Sequence, residues 1–349
     1  MYPSFCTSSS KGAYFLKGFS LALVILLLPA VLLSLYFEPL DGDLTRIGHL
    51  AERDFGANQA QPSQPRLANL KQTDKADILV LGDSFSAENI WQSMLTKRLG
   101  LTIKTYHYNH ISCISDWLTK AAQGIASPGS SIVIIETVER EFISRFGSES
   151  TACINRISSP LTIDSDTING DREKWAIFPI DPRHLIKTWQ NHSRKQYGRV
   201  SLSRNRVVKA DLTRSDLFSN RLSESFLYYG GDDQKATTWS AARADRAIAS
   251  LKHYQYLAKK NGIELIVLVI PDKSSVYSEW IAAGQMKQIP KYDLYERLTV
   301  AFGIHSNILA NFKQQAANTL DFYSPNDTHL SLNGFRYLSE LLEAQIQGE

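Results

Sequence analysis

The sequence predicts a layered α/β domain with a mainly parallel sheet, carried behind one N-terminal transmembrane helix. Three observations lead there: one long uncharged apolar run, short apolar runs bounded by glycine or polar residues, and amphipathic helical patterns between those runs. The chain has 349 residues, 43% hydrophobic and 21% charged, with three cysteines. That composition belongs to a globular protein and excludes disorder, collagen-like repeats and a disulfide-stapled miniprotein. A net charge of +3 gives no case for nucleic acid, and so few cysteines exclude a cysteine-rich metal site.

Residues 19–37 read FSLALVILLLPAVLLSLYF without a charge. At 1.5 Å per residue the run is about 28 Å long, close to the roughly 30 Å hydrocarbon core of a bilayer. Lys11 and Lys17 precede it, and Glu38, Asp41 and Asp43 follow. The positive-inside rule then places residues 1–18 in the cytoplasm and the rest outside it. A cleaved signal peptide is the rival reading, but no small-x-small cleavage site follows closely. Residues 38–73 are polar, with Gln-Ala-Gln-Pro-Ser-Gln-Pro at 59–65, and read as a linker that contains a short helical pattern around 43–54. The folded domain is expected over 74–349.

Within it, 77–81 has the apolar character of a buried parallel strand, 101–106 is a second strand candidate, 131–136 a third, and 263–270 the clearest strand. Helical spacing runs over 87–99, 116–124, 241–261, 292–302, 308–317 and 332–346. Residues 145–240 break this alternation, with turn signals at Asn169-Gly170 and Gly230-Gly231, and read as an insertion. From Arg183 to Arg214 that insertion carries nine Lys or Arg against one acid, Asp211. Such a stretch is either a surface for an anionic polysaccharide or lipid headgroups, or simply a solvated loop.

The chemistry-bearing motifs lie at opposite ends of the domain. Gly82-Asp83-Ser84 follows the first strand and precedes a helix. This presents Ser84 at the carboxyl edge of the sheet, where open α/β folds bind ligands. The plain alternative is that Ser84 or Ser86 only caps a helix. A serine nucleophile needs a base, and Asp327-Thr328-His329 offers one just before the last helix. Residues two apart on an extended segment share a face, so Asp327 is placed to orient His329.

This pair of motifs resembles the SGNH (GDSL-like) hydrolases, with Gly82-Asp83-Ser84 as the first block and Asp327/His329 as the last. The usual last block is Asp-x-x-His, whereas Asp-x-His is similar to the alginate O-acetyltransferase (AlgJ/AlgX-like) group. Ile132–Arg140, ending Glu-Thr-Val-Glu-Arg, and Val269–Tyr277, with Pro271-Asp272-Lys273, also resemble that group. Leu330 stands where a Trp is usual. In that group the Asp-x-His block precedes Gly-Asp-Ser; here it follows, so the motifs stand in permuted order.

The resemblance implies a three-layer SGNH-hydrolase-like fold and acyl transfer through a serine ester. Ser84 would be the nucleophile, His329 its base and Asp327 the residue that holds the imidazole. No cofactor and no metal are then required. For the oxyanion or substrate it points to Asn109 and Arg140, and to Lys273 and Tyr277 as substrate contacts; the plain readings are a loop-fixing salt bridge for Arg140, a surface charge for Lys273 and packing for Tyr277. His107 and His110 read as structural, and Cys113 and Cys153 as either a pair or two free thiols. The implied activity is O-acetylation of an exported polysaccharide or cell-envelope glycan, periplasmic and anchored to a bacterial inner membrane. Its partners would be that polysaccharide acceptor and a multi-spanning membrane acyltransferase that supplies the acyl group. A carbohydrate esterase or deacetylase of the same fold, and a non-catalytic glycan-binding or assembly subunit, are the alternatives.

Overall fold

A computed structural model of the chain describes residues 9–36, 41–48, 50–59, 75–111, 113–147, 206–285, 293–303 and 308–348. The apolar N-terminal run lies in α1 (Ser9–Tyr36), which contains Pro29. Within α1, Gly12–Pro29 is long and apolar enough to cross a membrane.

Four strands form a parallel sheet in the order β2-β1-β3-β6: β1 (Ile78–Gly82), β2 (Ile103–His107), β3 (Ile132–Val138) and β6 (Glu264–Ile270). All four were expected as strands, three of them as apolar runs; β2, with Lys104, Thr105 and His107, is the least apolar. Registers such as Gly82↔His107 and Val138↔Ile270 bring the carboxyl ends of the strands to one edge.

Alternation along each strand sorts its side chains into two cores. Ile78, Val80, Ile134 and Leu268 face a layer built by α5 (Ile90–Leu99), α12 (Ile308–Asn318) and α13 (Leu332–Gln347), through Trp91, Phe312 and Leu338. Leu79, Leu81, Val133 and Val267 face the other layer, made by α6 (Ile114–Ala122), α9 (Ala241–Lys260) and α11 (Leu294–Phe302), through Trp117, Leu251 and Leu298. The result is helix, sheet, helix. The long helix α9 starts where the Ser240 hydroxyl accepts the Arg243 N–H, and it stops before Gly262, whose φ is +71°.

Two expected boundaries change. Residues 41–59 do not behave as a linker: α2 (Asp43–Gly48) and α3 (Glu52–Phe55) fold onto the domain, where Leu44 and Phe55 are buried against Leu227. The physical reason is that two apolar anchors and a set of backbone bonds hold an otherwise polar segment. Residues 206–240 are likewise no detached insertion. β4 (Val207–Asp211) and β5 (Ser225–Tyr229) pair antiparallel, and Ala210, Phe226 and Tyr228 join the main core. The strands were missed because each is only five residues long and carries weak alternation. The remainder of the expected insertion, with most of its basic residues and Cys153, lies outside the described residues. Cys113 is disulfide-bonded, so of its two expected states the free thiol is the wrong one.

Candidate active site

The nucleophile turn is built by backbone demands on three successive residues. Gly82 ends β1 against β3, and a Cβ there would lie 2.4 Å from Ser86 Oγ and 2.7 Å from Glu136 Oε2. Only glycine fits. Asp83 then begins the short helix α4 (Ser84–Ala87): its Oδ1 accepts the Phe85 N–H at 3.1 Å and its Oδ2 accepts the Val138 N–H at 2.9 Å. Arg145, on α7 (Phe142–Phe146), reaches the same carboxylate at 2.6 Å. Burial works against the charge of Asp83, but Arg145 and the two N–H donors prevail and hold its pKa below the usual range. The Asp83 N–H and the Ser86 hydroxyl both donate to Glu136 Oε2, at 3.0 and 2.7 Å. Burial, then the Asp83 charge, pushes the Glu136 carboxyl well up. The cap of α4 is therefore Asp83, not either serine. Ser86 is buried within the turn, whereas Ser84 is exposed.

The second limb is the turn from Ser324 to Ser331, pinched by an antiparallel bridge between Tyr323 and Leu330 and by the bond from the Ser324 N–H to the His329 carbonyl. The pinch brings Asp327 and His329 together. Asp327 Oδ1 lies 2.5 Å from His329 Nδ1 and also accepts the His329 backbone N–H at 3.0 Å. His329 Nε2 lies 2.8 Å from Ser84 Oγ. Phe85 packs on the imidazole with ring centroids 4.6 Å apart. Burial would lower the His329 pKa, but the bond to Asp327 and the nearby carboxylate charge raise it. Burial would likewise raise Asp327, and its bond to His329 instead holds it far below the usual carboxylate range. The arrangement can take a proton from a serine hydroxyl and hold the resulting imidazolium.

The other expected site residues lie elsewhere. Lys273 is buried beneath the second limb, donating to the carbonyls of Ser324, Pro325 and Asp327 at 2.7, 3.0 and 3.1 Å. It is a clamp on the turn and not a substrate contact. Tyr277 is fully buried in the core, where its hydroxyl accepts the Tyr323 N–H, so it too is unavailable to substrate. Arg140 is committed to Asp272 at 2.8 Å and Asp232 at 3.5 Å, in a buried ionic cluster with Lys235 and Glu139. That cluster fixes the loops after β3 and β6, and it engages Arg140 Nη1 with both carboxylates. Asn109 is exposed on the turn after β2, and its N–H donates to His107 Nδ1 at 3.0 Å. Nothing in the structure brings its side chain to Ser84. The Ser84 backbone N–H has no acceptor among the described residues, which leaves it free for an incoming oxygen.

Residues 223–348 match the family model of the SGNH hydrolase-like domain of the acetyltransferase AlgX. Over those residues the chain is similar to that SGNH domain. No curated protein and no solved structure matches it. The range of the AlgX match holds Asp272, Lys273, Asp327 and His329 but leaves Ser84 outside.

The cleft has a volume of about 570 Å³ and opens beside Ser84 and His329. One wall is polar, with Asp41, Glu52, Arg53 and Asn58 from the segment after α1; another presents Ile90, Leu332 and Phe335. Sequence reasoning missed that first wall because it took the segment for a tether. It also missed Arg145, which stands in the short helix Phe142–Phe146 after β3 with no motif to mark it. Asp43, Asp327 and His329 offer ligand atoms within 4.8 Å of one another, the one such group among the described residues. Those side chains are already engaged with Thr328, Ser84 and each other.

Proposed function

We propose that this protein is a membrane-anchored O-acetyltransferase that modifies an exported polysaccharide or cell-envelope glycan. The observation that carries the reading is the continuous relay from Ser84 Oγ through His329 to Asp327, opening into a cleft with polar and apolar walls. In the first half-reaction Ser84 Oγ attacks the acyl carbonyl while its proton passes to His329 Nε2. Collapse of the tetrahedral intermediate breaks the bond to the donor oxygen, which leaves with that proton. In the second, a sugar hydroxyl gives its proton to His329 and attacks the acyl-serine, and Ser84 recovers a proton as it departs. Asp327 holds the imidazole tautomer through both halves, and the free Ser84 N–H contributes to the oxyanion site.

The AlgX-like domain favours a transferase over its hydrolytic relative, since the same relay serves both and only the acceptor differs. The helical span Gly12–Pro29 supports an anchored protein with its cleft outside the cytoplasm, in the bacterial periplasm. A multi-spanning membrane acyltransferase is the proposed source of acyl groups, because a domain so placed has no access to cytoplasmic acetyl-CoA. The test uses the full chain in detergent, wild type and Ser84→Ala, with an activated acetyl ester and acceptor oligosaccharides followed by mass spectrometry. Acetylated sugar from wild type only is the expected result. Serine-dependent ester loss that never reaches sugar would establish an esterase, and equal behaviour of the two proteins would sink the catalytic reading in favour of a glycan-binding subunit.

A further inference from the structure

The relay is supported from a part of the chain far from both motifs. Asp43 stands at the start of α2, in the segment that follows α1, and it grips the second limb in both directions. Its backbone N–H donates to Asp327 Oδ2 at 2.9 Å. Its own carboxylate accepts the Thr328 N–H on Oδ1 at 2.8 Å and the Thr328 hydroxyl on Oδ2 at 2.6 Å. Both oxygens of Asp327 are thus filled, one by His329 and one by the Asp43 backbone. Thr328, between the two relay residues, is held at two points by the Asp43 side chain.

The rest of the strap maintains this grip. The Leu44 and Thr45 N–H groups converge on the Asn326 carbonyl at 3.0 and 3.3 Å. Glu52 closes the strap on itself, taking the Asp41 N–H at 3.2 Å and the Thr45 hydroxyl at 2.5 Å on one oxygen, and Asn326 Nδ2 on the other. Gly42 passes so near that a Cβ would lie 2.1 Å from the Asn326 carbonyl oxygen. Loop turns of this kind are free to shift unless pinned, and a displacement of about 1 Å in a relay can cost on the order of 10²-fold in rate.

We propose that the Asp43 carboxylate positions the active site: by holding Thr328 at two points it sets the place of the His329 imidazole against Ser84. The inference deepens the acyl-transfer reading and rests on it for its kinetic test only. The experiment takes the full chain in detergent as wild type, Asp43→Ala and Asp43→Asn, with an activated acetyl ester as the probe. Asp43→Ala is expected to lower kcat by about 10- to 100-fold at nearly constant KM. Asp43→Asn keeps an oxygen for the Thr328 N–H and is expected to recover to within about threefold. A second readout does not need turnover: the downfield proton resonance of the short His329 Nδ1–Asp327 bond should shift in Asp43→Ala and stay in Asp43→Asn. Unchanged kcat and resonance in Asp43→Ala would overturn the proposal, as would an Asn variant no better than the Ala variant. If ester cleavage proves independent of Ser84, the acyl-transfer reading fails while the resonance still decides the role of Asp43.

Discussion

Replacing Lys273 with Met separates two accounts of that residue. In the structure its ammonium supplies donors to three carbonyls on the turn that carries Asp327. It also lies 5.1 and 5.3 Å from the ring centroids of Phe218 and Phe226. Burial draws its pKa down to about 7, against the pull of Asp327 and Asp43 in the other direction. Met keeps the length and packs well against the two rings, but leaves the Pro325 and Asp327 carbonyls without a donor, while the Ser324 carbonyl keeps the Asp327 N–H. An unsatisfied buried polar group costs about 1–3 kcal/mol, so two cost roughly 2–6 kcal/mol. Relief from holding an ammonium out of water offsets part of that cost. A net loss of about 2 kcal/mol follows, which at about 2–4 °C per kcal/mol for a domain of this size lowers Tm by roughly 4–8 °C. The loosened turn should also lower kcat on the order of 10²-fold with little change in KM. Thermal melts followed by circular dichroism and steady-state kinetics on an activated acetyl ester read both effects. A variant with unchanged Tm and kcat but a raised KM would refute the clamp and restore Lys273 as a substrate contact.

Two further predictions concern the base and the anchor. Because His329 acts as a base only when neutral and its pKa is raised, the acidic limb of kcat/KM should lie above the ordinary histidine value of about 6.5; Asp327→Asn leaves burial as the dominant influence, so the limb should move to lower pH as the rate falls by about 10³–10⁴-fold, and an unmoved limb would show that Asp327 does not set it. From Tyr36, the last residue of α1, to Asp41 on the cleft wall is five residues, no more than about 18 Å of extended chain; a twenty-residue Gly/Ser spacer after Glu38 would add about 25 Å of mean reach, and is expected to lower glycan acetylation in cells while leaving cleavage of a soluble ester unchanged, an outcome that unchanged glycan acetylation would contradict.

The parts legible in the sequence are those whose physics is local. Buried parallel strands must be continuous apolar runs, so Ile78–Gly82, Ile132–Val138 and Glu264–Ile270 announced themselves. Gly-Asp-Ser and Asp-Thr-His carry their chemistry in adjacent residues. What was illegible depends on contacts across hundreds of positions. Asp43 meets Asp327 through a backbone N–H, a group every residue owns, so no residue type marks the encounter. Lys273 looks like a surface charge and is buried only because carbonyls from a distant segment surround it, whereas the loop-fixing salt bridge was one of the readings open for Arg140 and its partners Asp232 and Asp272 come from distant segments. Glu136 lies in the Ile132–Arg140 stretch that resembles the family, but its use beneath Gly82 follows from the missing Cβ there, which only the fold reveals.

The order of the two motifs also has a physical reading. A site at the carboxyl edge of a parallel sheet is assembled from strand ends and loops whose spatial order is independent of their order along the chain. Here the strand that delivers Ser84 is central, flanked by β2 and β3, although it comes first in sequence. The limb with Asp327 and His329 comes last and still reaches it. Exchange of the two blocks along the chain therefore leaves the Ser-His-Asp geometry attainable. A family pattern read in chain order can follow one limb of such an arrangement but not both. The AlgX match spans residues 223–348, holding Asp327 and His329 and leaving Ser84 outside. The limb within the match is the one clamped by Lys273 and strapped by Asp43. Two relay residues and the Lys273 clamp thus lie within the match, while Ser84 and the Asp43 strap come from outside it, and the two parts meet only in the fold.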